Sequence, residues 1–160
     1  MHGSITIRPE RPDQIEVVAL LDALDVYLRA LYPPEANHLL DVQALLAPDV
    51  GFHVARRDGQ VLGTGAFRRQ PGGPDTDGLP YGEIKRMYVV PAARGQRIAE
   101  RLLQSLEDAL RAEGRAFALL ETGPDQREAL RLYERCGYTR RGPFGGYDDH
   151  ALSLFYGKKL

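Results

Sequence analysis

The sequence predicts an α/β protein built on one mixed central sheet of about six to seven strands, with helices on both faces. Three observations carry that expectation. Asp58–Gly59 sits between two β-type runs, 52–56 and 60–67, and a glycine there supplies the positive φ of a tight hairpin, so part of the sheet is antiparallel. An amphipathic helical stretch separates two apolar strands within residues 83–121, and such a unit closes as a parallel pair with a right-handed crossover. The segments follow one another as β-α-α-β-β-β-α-β-α-β-β, with no internal repeat and no low-complexity tract.

Residues 4–8 read as a strand with Ile5 and Ile7 on one face, ended by Pro9 and Pro12. Ile15, Val18, Leu21, Leu24 and Leu28 then recur at helical spacing, predicting a helix over 13–31 that Tyr32-Pro33-Pro34 stops. A shorter helix is expected over 38–46, before Pro48. After the hairpin, 70–80 is rich in glycine and proline and reads as a long loop. A strand over 83–90 ends at Pro91. Ile98, Leu102, Leu106 and Leu110 mark an amphipathic helix to about residue 113, with Gly114 as its C-terminal cap. A strand over 117–121, a helix over 125–135 stopped by Gly137, and strands over 138–141 and 152–156 complete the chain.

At 160 residues the chain suits a single domain, 1–160, and a chain of this size buries roughly 70% of its unfolded surface without staples. A net charge of −1 provides no basic field for nucleic acid or an anionic membrane. The lone cysteine, Cys136, forms no intramolecular disulfide. It also sits at a helix C-terminus, where a thiolate is disfavoured, and reads as structural. His2, His38, His53 and His150 lack ligand spacing, so no metal site is expected. With no apolar run near ~20 residues and no signal-like N-terminus, the expectation is a cytoplasmic protein.

The chemistry concentrates in Tyr88-Val89-Val90-Pro91-Ala92-Ala93-Arg94-Gly95-Gln96-Arg97-Ile98-Ala99-Glu100-Arg101-Leu102-Leu103. A strand stops at a proline, a short turn follows, and a helix starts near Arg97. The first amides of a helix have no intrahelical partners, and the dipole adds positive charge, so phosphate groups bind well there. Gly95 permits close approach, and Arg94 and Arg97 add cationic donors. The patterns GxxxxGK[ST] and GxGxxG are both absent. Taken alone, the segment is equally readable as a turn before an ordinary helix.

The pattern V-x-P-x-x-R-G-x-x-[IV]-[AG]-x-x-L-L resembles the pyrophosphate motif of the GCN5-related N-acetyltransferase superfamily. About thirty residues on, Gln126-Arg127-Glu128-Ala129-Leu130-Arg131-Leu132-Tyr133-Glu134-Arg135-Cys136-Gly137-Tyr138 is similar to the family's N-x-x-A-x-x-[LF]-Y-x-x-x-G-[FY]. The order, the separation and the surrounding elements also match, and the likeness is weakest before Phe52. It implies the acyl-CoA N-acyltransferase fold and acetyl-CoA as co-substrate. It further implies transfer of the acetyl group to a primary amine in a ternary complex.

By this resemblance, Met87, Tyr88 and Val89 hold the pantetheine arm and the acetyl carbonyl through the main chain. Arg94, Gly95, Gln96, Arg97, Ile98 and Ala99 hold the pyrophosphate. Tyr133 protonates the leaving thiolate, and Gln126 stands where the family often has Asn. Glu83 and Glu121 are the two carboxylates available as general base. Phe144, Tyr147 and Asp148 are expected to shape one wall of the acceptor pocket, and Tyr27, Tyr32 and Glu35 the other. Arg97 replaces a family glycine; as the first helical residue it leaves the amides free to face the ligand. The acceptor is expected to be a small molecule, with a protein or peptide amine as the alternative and a homodimer possible. A coenzyme-binding regulatory module without turnover, a toxin acting on aminoacyl-tRNA, and a structural interaction domain with no coenzyme are the remaining readings.

Overall fold

The computed structural model describes residues 3–160; Met1 and His2, one of the four histidines counted above, lie outside it. Among the described residues seven strands form one sheet in the order β1-β2-β3-β4-β5-β7-β6. These are β1 (Ile5–Pro9), β2 (Val50–Arg57), β3 (Gln60–Gln70), β4 (Tyr81–Val89), β5 (Phe117–Thr122), β6 (Thr139–Arg141) and β7 (Leu154–Lys159). The hairpin at Asp58–Gly59 joins β2 to β3, and both residues hold positive φ (51° and 82°). Only β4 and β5 pair in parallel, joined by α3 (Ile98–Ala112). The mixed sheet and the order of elements are as expected from sequence.

Helices cover both faces. α1 (Ile15–Leu31) lays Val17, Leu20 and Leu21 on Phe52, Val54 and Ala66. On the opposite face, Leu103, Leu106 and Leu110 of α3 meet Phe67, Ile84 and Leu120, together with Leu132 and Tyr133 of α4 (Arg127–Arg135). The leucine stripe of α3 sits close to the sheet because glycines lie beneath it. A Cβ on Gly82 would fall 2.4 Å from Leu110, and one on Gly65 3.0 Å from Leu106.

The helix expected over 38–46 contracts to α2 (Val42–Leu45), preceded by a 3-10 turn at Pro34–Ala36. Asp41 starts α2, its carboxylate accepting from the Ala44 amide at 2.8 Å. Residues 37–40 stay extended because tertiary contacts hold them: Lys85 Nζ donates to the His38 carbonyl at 3.0 Å. The loop over 70–80 contains a second 3-10 turn, Pro74–Thr76.

The feature that positions the site is a bulge in β4. Thr64 pairs with Tyr88 but Ala66 pairs with Lys85, so Gly65 faces two residues, Arg86 and Met87. Arg86 takes the left-handed conformation (φ 57°), and its carbonyl accepts from Thr64 Oγ1 at 3.0 Å. Its side chain is buried, donating to Asp25 Oδ1 at 2.5 Å and to the Leu21 carbonyl at 3.2 Å. Pairing between β4 and β5 runs only from Tyr81–Phe117 to Glu83–Leu119. Beyond it the two strands part, and the far edge of Met87–Val89 has no strand beside it.

Candidate active site

The parting of β4 from β5 opens a cleft of about 520 Å3. One wall is Met87, Tyr88 and Val89; the other is Gln126, Ala129 and Tyr133 of α4. The floor is the turn from Ala93 into α3. Gly95 (φ 81°) and Arg97 (φ 60°, ψ 23°) are both left-handed, so the chain curls twice before the helix starts. The amides of Arg94 and Arg101 donate to Pro91 and Arg97 carbonyls, and no turn or cap hydrogen bond uses those of residues 95–99. Successive amides in such a curl, at the positive end of a 15-residue helix, form a concave anion site.

Arg97 is the N-cap of α3, one position before the first helical residue, with no side-chain cap bond. It adopts the conformation that a glycine adopts freely and that costs an ordinary residue roughly 1–2 kcal/mol. Its side chain is exposed at the cleft rim. The substitution thus keeps the backbone curl and adds a guanidinium to its mouth.

Arg94 Nε donates to the Val89 carbonyl at 3.1 Å, and its guanidinium lies 5.7 Å from the Tyr88 ring centroid, which ties the turn to the end of β4. Arg131 and Arg135 also reach the cleft, one helical turn apart on α4. Arg135 is paired with Glu100 at 2.9 Å. The i, i+4 spacing of these two arginines was the available sequence signal, and it went unread. Gln96 is the exception among the expected residues: it does not line the cleft, and its Oε1 accepts from Arg57 Nη2 at 2.6 Å.

Tyr133 is 7% exposed and lines both this cleft and a smaller recess of about 90 Å3 beside it. Burial pushes its phenol pKa well above the ordinary value. Among the described residues Arg86 Nε is the sole side-chain polar atom both sealed and unpaired. The Tyr133 hydroxyl, which has no hydrogen-bond partner there, therefore meets open space. Cys136 lies behind it, half-buried, with its thiol pKa raised first by burial, so its reading as structural fits its surroundings.

The recess lies between β4, β5 and the 36–39 segment, and it shares Leu24, Met87, Gln126 and Tyr133 with the cleft. His38, Lys85, Arg86 and Glu121 are the charged or titratable groups on its lining besides the tyrosines, and Asn37, Thr122 and Gln126 add neutral polar ones. Glu121 Oε1 is 3.3 Å from His38 Nδ1. Glu83 is 5% exposed and lines neither space. The Tyr147 hydroxyl donates to its Oε2 at 2.5 Å, and Lys85 Nζ lies 3.3 Å from the same oxygen. Burial, then the neighbouring Glu83 charge, raises the Tyr147 phenol pKa far above its usual range.

Several residues expected on the acceptor walls are placed otherwise. Phe144 is 1% exposed, packed edge-on against Tyr81, Phe155 and Tyr147, because a phenyl ring gains more in that apolar cluster than at a wet rim. Asp148 is exposed and Glu35 sits exposed on a 3-10 turn; neither lines the recess. Tyr27 is 45% exposed and faces the large cleft instead. Tyr32 borders the recess, but its hydroxyl is held by the Asp125 amide at 3.0 Å, at the entry to α4. His38 and Lys85, which do enter the recess, were not singled out in the sequence. Neither lies in a motif, and a lone His on a loop carries no local signal.

A model of the Acetyltransferase (GNAT) family matches residues 17–138. The chain belongs to that family. An IAA acetyltransferase from Azospirillum brasilense is 50% identical over 157 residues, covering 98% of this chain and 99% of that one. The solved structure of an acyl-CoA N-acyltransferase from Klebsiella pneumoniae subsp. pneumoniae superimposes with a TM-score of 0.79 at 34% identity, covering 98% of this chain and 97% of that one. Arabidopsis thaliana NAA60 in complex with acetyl-CoA has the same fold (TM-score 0.70, 17% identity, 98% and 99% covered). The chain is thus an acyltransferase of the GNAT type. None of its helices, among the described residues, is long and apolar enough to cross a membrane.

Proposed function

We propose that the whole chain acts as one domain that moves the acetyl group of acetyl-CoA to the amine of a small molecule. The observation that carries this reading is the set of free amides at Gly95–Ala99, opening onto a cleft that the Tyr133 hydroxyl also faces. The shape and charge of that curl suit a pyrophosphate, with Arg94, Arg97 and Arg131 around it and, among the described residues, no carboxylate paired to any of the three. The unpaired edge of Met87–Val89 suits the amide groups of a pantetheine arm, which would extend the sheet as a further strand does. Gln126 lines both spaces and is positioned to meet the same arm. Arabidopsis thaliana NAA60, which shares the fold, is solved in complex with acetyl-CoA, and this supports such a use of the cleft.

Bound acetyl-CoA supplies an activated thioester; the chain's own residues orient it and manage protons. A main-chain amide of β4 aimed at the carbonyl oxygen stabilises the charge that builds there. Tyr133 gives its proton to the departing sulfur. Its burial keeps it a neutral phenol throughout the working pH range, so the donor is always loaded.

The recess supports a small acceptor. At about 90 Å3 it holds a few heavy atoms beyond the amine, and the 36–39 segment closes over it, with the Tyr147 ring behind His38 rather than on the lining. Of the two carboxylates, Glu121 borders the recess while Glu83 is shut behind Tyr147 and Lys85. Released thiol, followed across a panel of small amines with IAA included, tests the reading. Amine-dependent release supports it; acetyl-CoA binding without release from any amine or compound in the panel, while lysine peptides are acetylated, would replace the small acceptor with a protein one.

A further inference from the structure

We propose that His38, held by Glu121, takes the proton from the attacking amine; this rests on the acetyl-transfer reading above. The pairing is a tertiary one, since 83 residues separate the two in sequence. His38 lies on the extended segment before α2, and Glu121 near the C-terminal end of β5, where the strand has parted from β4. A carboxylate 3.3 Å from Nδ1 accepts a hydrogen bond from an Nδ1–H, which favours the tautomer protonated there. Nε2 is then left with a free lone pair, on a side chain that borders the recess shared with Tyr133. Acid and base thus border one small space.

The ring is held on two further counts. Its edge packs on the Tyr147 ring, with centroids 5.0 Å apart at 78°, and its own carbonyl accepts from Lys85 Nζ. The charged and titratable groups around it are Glu121 on β5, Lys85, Glu83 and Arg86 on β4, Tyr147 on the loop before β7, Tyr133 on α4 and Tyr32 at the end of α1. Glu83 is already engaged by the Tyr147 hydroxyl and Lys85, which leaves the Glu121–His38 pair to face the recess. A carboxylate behind the imidazole also stabilises the imidazolium formed as the proton arrives.

The protons balance. As the amine nitrogen bonds to the acetyl carbonyl carbon and the carbon–sulfur bond breaks, the nitrogen's proton passes to Nε2 of His38. The sulfur takes the phenolic proton of Tyr133. Solvent then returns one proton to Tyr133 and removes one from His38. Glu121 touches no reacting atom and acts as a positioning residue.

The test uses the full chain with acetyl-CoA and the panel amine that releases thiol fastest. The expected result is thiol release that depends on the His38 side chain. His38→Gln lowers kcat on the order of 100-fold at neutral pH, with the Kd for acetyl-CoA within about two-fold. Imidazole added to His38→Ala restores turnover. Nitrogen NMR of the wild-type protein without ligand shows the proton on Nδ1 and a bare Nε2; Glu121→Gln lowers kcat and lets the ring proton occupy Nε2. A His38→Gln kcat matching wild type, no rescue of His38→Ala by imidazole, or a proton on Nε2 in the wild-type NMR overturns the pair and leaves acetyl transfer standing. Acetyl-CoA binding with no thiol release from any amine overturns both.

Discussion

Tyr147 and Glu83 are bonded through the shortest contact at the acceptor end, hydroxyl to carboxylate at 2.5 Å, and the loop before β7 is thereby fastened to the centre of the sheet. Lys85 completes the set, donating to the Tyr147 oxygen at 2.7 Å. A hydrogen bond to a buried charged group contributes about 1.5–3 kcal/mol. Tyr147→Phe is therefore expected to lower unfolding stability by about 2 kcal/mol in urea titrations. It is also expected to raise KM for the amine, because Lys85 on the recess lining loses its bond to the Tyr147 oxygen, while Kd for acetyl-CoA stays within about two-fold.

Tyr133→Phe removes a proton donor without changing the shape of a buried ring. Expected is a fall in kcat on the order of 100-fold with acetyl-CoA affinity unchanged, measured by thiol release and calorimetry. The raised pKa has a sign consequence. A phenol whose pKa lies above the usual ~10 stays protonated through neutral and mildly basic pH, so wild type is expected to show no loss of kcat from Tyr133 below about pH 10.

Arg97 separates two roles of one position. Arg97→Gly keeps the left-handed curl, relieves roughly 1 kcal/mol of backbone strain, and gains a similar entropy cost in the unfolded chain, so stability is expected to change by less than about 1 kcal/mol. Its Kd for acetyl-CoA rises by no more than about ten-fold, the loss of one exposed cationic contact. Arg97→Val, β-branched and poorly suited to φ 60°, is expected to weaken binding further and to lower the melting temperature. Calorimetry and thermal unfolding on the two variants check this.

Acid sensitivity is expected at the other end of the sheet. Both oxygens of Glu10 accept from Arg56, at 2.9–3.1 Å, and this holds the Glu10 carboxyl below its ordinary pKa. A depressed folded-state pKa stabilises the protein above the unfolded value near ~4.3, and that gain is lost as pH falls through the folded value. Glu10→Gln is expected to be about 1 kcal/mol less stable than wild type at pH 7, with the gap closing below about pH 4. Urea unfolding at both pH values measures it.

Much of the molecule follows from local signals. The hairpin at Asp58–Gly59, the leucine period of α3 and the Arg94–Gly95 turn before it are short-range, because φ preference and helical periodicity act over a few residues. Of the residues expected at the coenzyme, all but Gln96 line the large cleft, while Leu24, Tyr27, Glu100, Glu128, Arg131 and Arg135 also line it and carried no such expectation. For Gln96 the reason is a side-chain bond to Arg57 on β2, 39 residues away, which no periodicity encodes. Arg97 reads as a helical residue by position, but its left-handed φ is imposed by the chain's need to curl beneath the cleft.

The acceptor end was decided by tertiary structure alone. Phe144 entered the core because a cluster formed by Tyr81, Leu119 and Phe155 was there to receive it. His38 and Glu121 became a pair because the bulge at Arg86 parts β4 from β5, and the 36–39 segment closes over the gap. Sequence by itself determined the sheet, its helices and the phosphate-facing turn, whose energies are local. Which carboxylate is sealed and which is open depends on contacts between strands and loops dozens of residues apart, and only the folded chain brings those together.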